Sequence, residues 1–118
     1  MITRGTTPYH SFVLPLSTEQ IENLYVTYLQ NGQVVLDKGL DEVELQDLVS
    51  EEENEGQSQC QVTVHLTQED TLAFKFWPAA EKNIAVAQVR AITKNGEAYV
   101  SKPIHKRIYG VLKEGVIE

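Results

Sequence analysis

Residues 59–66, QCQVTVHL, alternate without a slip: Cys60, Val62, Val64 and Leu66 point one way, and Gln59, Gln61, Thr63 and His65 the other. A period of two with one apolar and one polar face belongs to a half-buried β-strand. Two Asn-Gly dipeptides add hairpins to it. Asn31-Gly32 separates LYVTYLQ from QVVLDK, and Asn95-Gly96 separates IAVAQVRAITK from EAYVSK. Asn-Gly supplies the two positive-φ positions of a type I′ turn. A two-residue loop at Asn95-Gly96 pairs Lys94 with Glu97, Ile92 with Tyr99 and Ala91 with Val100, an arrangement that sets opposite charges beside the turn. It gathers Ala85, Ala87, Val89, Ala91, Ala98 and Val100 on one face, and Gln88, Arg90, Tyr99 and Ser101 on the other. In the first hairpin both faces are mixed, and the pattern does not say which is buried.

Helical signals are short. Thr67-Gln-Glu-Asp70 reads as a capping box with Asp in the place usually held by Glu or Gln, followed by a single turn that delivers Leu72 and Phe74 to the core. Pro78 stops any continuation. Leu16 to Asn23 is expected to hold a second turn capped by Ser17 or Thr18. Short strands, hairpin turns and no long helical periodicity predict an all-β fold: an antiparallel Ig-like β-sandwich of about seven strands with one or two short helical turns. The Cys–Trp–Cys core of antibody domains is absent, since the chain has one Cys and Trp77 stands in an FWP context.

The 118 residues suit one domain, 1–118, with 42% hydrophobic residues to build its core. The net charge is -7, and it is concentrated. Eight of the 17 acidic residues fall between Asp41 and Glu55, where there is no Lys or Arg; the other nine face ten basic residues elsewhere. Residues 47–58 are expected to form a mobile acidic loop, and the basic segment from about 103 a last strand followed by an arm. An acidic chain without a basic stripe is a poor nucleic-acid binder. No apolar stretch reaches the length of a membrane span, and the first residues lack the apolar run of a signal peptide. This predicts a chain that is cytoplasmic at synthesis, and the single cysteine, which rules out an internal disulfide, fits a reducing compartment.

Catalytic constellations are missing from the pattern. His10, His65 and His105 have no metal-ligand spacing, His10 alternates with Phe12 and Leu14 as a core residue does, and His65 lies on a polar strand face. Cys60 belongs to an apolar strand face, which predicts a buried, inert thiol. No GxSxG, GxGxxG or P-loop occurs, and Gly5 stands alone in TRGTT. The acidic run lacks the rhythm of a calcium loop. No residue is therefore expected to be catalytic, metal-ligating or cofactor-binding, and the chain reads as a non-enzyme. Tyr25, Tyr28, Tyr99, Tyr109 and Trp77 admit one alternative, an aromatic sugar-binding platform on a cell-surface adhesion module. That alternative requires Tyr25, Tyr28, Tyr99 or Trp77 to stand exposed together.

The segments ITRGTTP (2–8) and LTQEDTLAF (66–74), with YHSFVLPL, IAVAQVRAITKNGEA and the tail EGVI, resemble small structural proteins of the tails and baseplates of phages and prophages of Gram-positive bacteria. The opening segment is also similar to the N-terminal β-sandwich domains of baseplate upper proteins. The resemblance spans most of the chain and is weakest over 47–58. It implies a virion or virion-assembly component, present in the host cytoplasm during assembly. Its partners are then other phage structural proteins and further copies of itself. Residues Thr3–Pro8 are expected to form an edge strand open to neighbours. The basic tail and the acidic 41–55 region are complementary in sign.

Overall fold

A computed structural model describes residues 1–48, 59–78, 83–111 and 115–117. Among the described residues nine strands form two sheets: β1 (Ile2–Thr3), β2 (Tyr9–Leu14), β3 (Ile21–Gln30), β4 (Gln33–Gly39), β5 (Val43–Leu48), β6 (Gln59–His65), β7 (Ile84–Thr93), β8 (Ala98–Val100) and β9 (Ile104–Tyr109). The larger sheet has the order β1-β9-β7-β3-β4, with β8 pairing further along the same β7; the smaller has the order β2-β6-β5. This is an Ig-like arrangement, in which β2, β6 and β5 face β9, β7, β3 and β4. All neighbours are antiparallel except β1, which runs parallel to β9 through Ile2–Ile108 and Thr3–Tyr109.

The core lies where the alternating strands face each other. Phe12 and Leu14 from β2 and Cys60, Val62 and Val64 from β6 meet Leu24, Val26 and Tyr28 from β3 and Ala85, Ala87, Val89 and Ala91 from β7. The small alanines of β7 leave room for the two largest buried side chains, Tyr28 and Phe74, whose rings meet edge-on at 5.9 Å. Tyr28 thus supplies the central aromatic that antibody domains take from a tryptophan. Its hydroxyl reaches across to the other sheet, 2.6 Å from His10 Nδ1.

Turn chemistry separates the two hairpins. Asn31 (φ 54) and Gly32 (φ 76) both take positive φ, as a type I′ loop requires, and Gln30 pairs with Gln33. At the second hairpin only Gly96 does (φ 86). There the Gly96 N–H donates to Thr93 O (2.9 Å) and the Thr93 N–H to Glu97 O (2.8 Å). The loop is therefore three residues long, a turn closed by a left-handed glycine, and the expected register is wrong by one. Ala91 pairs with Tyr99, and Ile92 with Ala98. A one-residue slip exchanges the faces of β8: Tyr99 packs toward the core, while Ala98 and Val100 are exposed. Thr93 drives the choice, because its hydroxyl also accepts from the Glu97 N–H at 3.0 Å.

Two other expectations are corrected, and a third is met in part. Thr3–Pro8 is not an edge strand: the strand ends at Thr3, and Gly5 (φ 83) turns the chain out of the sheet. The last strand expected from about 103 is β9, Ile104–Tyr109, with Ile108 buried; of the arm expected after it, residues 112–114 and 118 lie outside the described residues. The acidic loop does not begin at 47, because Asp47 and Leu48 belong to β5; residues 49–58 lie outside the described residues. Asp47 is also a structural ligand. Its carboxylate accepts from the Thr18 N–H (2.8 Å) and hydroxyl (3.1 Å), capping the 3-10 turn Thr18–Gln20. A second 3-10 turn, Leu40–Glu42, joins β4 to β5 and was not legible in the sequence.

After β9 the chain passes close to the connector that leads into β7. A Cβ built on Gly110 would stand 2.5 Å from the Phe76 ring, well inside contact distance. Gly110→Ala is expected to cost about 1–3 kcal/mol as Phe76 is displaced. Urea unfolding of the variant checks this; an unchanged midpoint would show that the ring yields freely.

Candidate functional site

The short helix α1 (Gln68–Leu72) joins β6 to β7, and three separate segments attach to it. Its N-terminus is closed by the expected box: Thr67 Oγ1 accepts from the Asp70 N–H (3.1 Å), and the Thr67 N–H donates to Asp70 Oδ2 (2.9 Å). Aspartate rather than glutamate suits this place because the carboxylate has a second duty. Lys38 Nζ, from the edge strand β4, lies 2.9 Å from Asp70 Oδ2 and 3.5 Å from Glu42. Burial alone would raise the Asp70 carboxyl, but the Thr67 N–H and the Lys38 ammonium outweigh it and hold it below the usual value. Burial likewise works against the Lys38 ammonium, and Asp70 and Glu42 more than offset it, raising its pKa.

The N-terminal segment docks on the other side of the helix. Thr71, fully buried, accepts from the Gly5 N–H at 3.0 Å and donates to Thr6 O at 2.8 Å. Arg4 Nη2 donates to Leu72 O at 3.1 Å. The C-terminal residues fold back as well: Gln68 Nε2 donates to Ile117 O (3.1 Å), and the Ile117 N–H donates to Gln68 Oε1 (2.7 Å). Residues 2–6, 67–72 and 117 therefore meet at one end of the sandwich, bound mostly through backbone groups. Leu72 is half-buried in this junction rather than in the core, whereas Phe74 reaches the core as expected.

Two more side-chain amides secure the connector that follows. Gln30 pairs with both backbone groups of Lys75 (2.6 and 2.8 Å), and Asn83 with both of Trp77 (2.9 and 3.0 Å). Each amide imitates a strand neighbour and satisfies a donor and an acceptor at once.

No family model matches this chain, and no curated protein matches it in sequence.

The residues weighed for chemistry are dispersed. His10 is buried against Tyr28, His65 is exposed and stacked on Tyr9 with ring centroids 4.0 Å apart, and His105 is exposed on β9. Among the described residues no three His, Cys, Asp or Glu side chains converge as a metal site would need. Cys60 is fully buried, and burial, with the Asp47 charge, pushes its thiol up. The aromatic side chains do not form the platform that sugar binding would need. Tyr28 is fully buried, Tyr99 is half-buried, Tyr25 lies on the outer face of the larger sheet, and Trp77 lies on the connector beyond β6. Tyr25 lines a shallow depression of about 240 Å³ with Asn23, Arg90, Ile92 and Ala98. The exposed Tyr9 is an aromatic that sequence reasoning passed over, although its place opposite His65 follows from the alternation of both strands.

Proposed function

We propose that this chain is a non-enzymatic structural or assembly protein of a phage or prophage tail or baseplate, working through protein–protein contacts. The observation that supports this reading is the junction at α1. Three of the five segments that carry the resemblance, ITRGTTP, LTQEDTLAF and the tail, are held together there. On the α1 side the junction depends on two side chains, Thr71 and Gln68, both of which lie in LTQEDTLAF. The same sandwich presents strand edges at β2, β4 and β5, to which a neighbouring protein can add backbone hydrogen bonds. In this reading the chain is made in the host cytoplasm and meets other phage structural proteins there during assembly.

Deleting the gene from the source strain and inducing particles tests the proposal. Particles lacking complete tails, with intact tails restored by supplying the chain in trans, are the expected outcome. Full titre and normal tail morphology without the chain would overturn it.

A further inference from the structure

The two margins of the larger sheet carry opposite charge. One margin is β9, whose residues Ile104–Arg107 pair with β7; on their other side no described strand lies, because β1 covers only Ile108 and Tyr109. Lys102, His105 and Arg107 are exposed there, Lys106 is half-buried, and no carboxylate occurs between Lys102 and Tyr109. The opposite margin is β4, which a three-residue turn joins to β5, the edge of the smaller sheet. Asp37, Asp41, Glu42, Glu44 and Asp47 are exposed across it. Lys38, the one basic residue in 31–48, is turned toward Asp70 and Glu42, and among the described residues no ion pair is made by Asp37, Asp41, Glu44 or Asp47.

Each margin repels its own kind and attracts the other. A two-fold contact would set like against like, so it is disfavoured for both. A head-to-tail contact matches them, and such a heterologous contact repeats from copy to copy into a ring or an open filament. The outward backbone groups of Ile104–Arg107 and of β4, with no described strand beyond them, lie on these same margins and can contribute strand-to-strand hydrogen bonds. We infer that copies of this chain associate head to tail, the basic β9 margin of one against the acidic β4–β5 margin of the next. This rests on the reading of the chain as an assembling component, and names the partner as a second copy of the chain.

Sedimentation velocity on the full chain at low ionic strength tests it, with two charge-reversed variants made only at exposed positions. One carries Lys102→Glu and Arg107→Glu; the other carries Asp37→Lys, Asp41→Lys and Glu44→Lys. Wild type is expected to self-associate and to dissociate in about 1 M NaCl, where the screening length falls to about 3 Å. Each variant alone is expected to associate at least about tenfold more weakly, because reversal sets like charges against each other. Mixing the two variants should restore association, since both contacts in an alternating chain are again of opposite sign. That rescue also shows that both variants fold. A wild type that stays monomeric at low salt, or reversals without effect, would overturn the inference. So would a mixture of correctly folded variants (by circular dichroism) that remains monomeric. A monomeric chain found in tail particles would remove the head-to-tail contact alone, whereas an associating chain with no effect on particles would remove the tail reading instead.

Discussion

Between about pH 6.5 and about pH 4, this protein is expected to lose about 3 kcal/mol of stability through a single residue, His10. The imidazole is buried between the sheets, its Nδ1 2.6 Å from the Tyr28 hydroxyl. Burial foremost, then the nearby Lys106 charge, lowers its pKa to about 4. The Tyr28 phenol is itself pushed up, chiefly by burial, so it keeps its proton beside the neutral imidazole. The sign follows from linkage. Above about pH 6.5 both folded and unfolded chains hold a neutral imidazole, and stability is complete. Below it the unfolded chain takes up a proton that the folded one refuses, so stability falls until the folded pKa is passed. At about 1.4 kcal/mol per unit, the shift amounts to about 3 kcal/mol. His10→Asn retains an acceptor near Nδ1 and removes the titration. Its unfolding free energy should be lower at neutral pH and nearly flat across this window. A variant whose slope matches wild type would place the acid sensitivity elsewhere. Asp70 does not confuse the measurement, since its lowered pKa places its own loss at still lower pH.

Thr71→Val is expected to cost up to about 3 kcal/mol, although it removes no volume and exposes no apolar surface. The hydroxyl both accepts from the Gly5 N–H and donates to Thr6 O, in a fully buried position. Valine takes that partner from both backbone groups; Thr6 is exposed and its carbonyl can turn to water, so the cost, about 1–3 kcal/mol, falls chiefly on the half-buried Gly5 N–H. Thr71→Ser keeps the hydroxyl and should lose only about 1 kcal/mol, the worth of one buried methyl. The effect should also be local. Amide exchange at Gly5 should quicken in the valine variant more than at Val62 or Val89. Equal losses for valine and serine would mean that packing, not hydrogen bonding, holds the N-terminal segment to α1.

The fold was largely legible, and the reasons are specific. β2 and β6 alternate strictly, and an error of one position would have exposed Phe12, Val62 and Val64 together, so their faces could be read directly. Asn31-Gly32 behaved as its dipeptide predicts, but Asn95-Gly96 did not, because the Thr93 side chain captures the Glu97 amide and lengthens the loop. Dipeptide chemistry cannot register a competing hydroxyl two residues upstream. The capping box at Thr67 was legible because it is local in sequence. Its partners were not. Gly5–Thr71 and Gln68–Ile117 join residues about fifty or more positions apart through backbone groups, which every residue possesses and no pattern advertises. The same holds for Lys38, which reads as a solvated lysine until β4 sets it beside Asp70. The short strand β1 was hidden for another reason: its two residues are too few for any periodicity to show.

The central claim is that this chain is built into, or builds, a phage tail. Quantitative mass spectrometry of purified, induced particles, compared with unassembled extract from the same cells, tests it most directly. The chain at stoichiometric copy number in particles is the predicted result for a structural component; enrichment with tail intermediates in the extract is the result for an assembly factor. Complete particles that lack the chain, together with extract in which it accompanies no tail protein, would contradict the account.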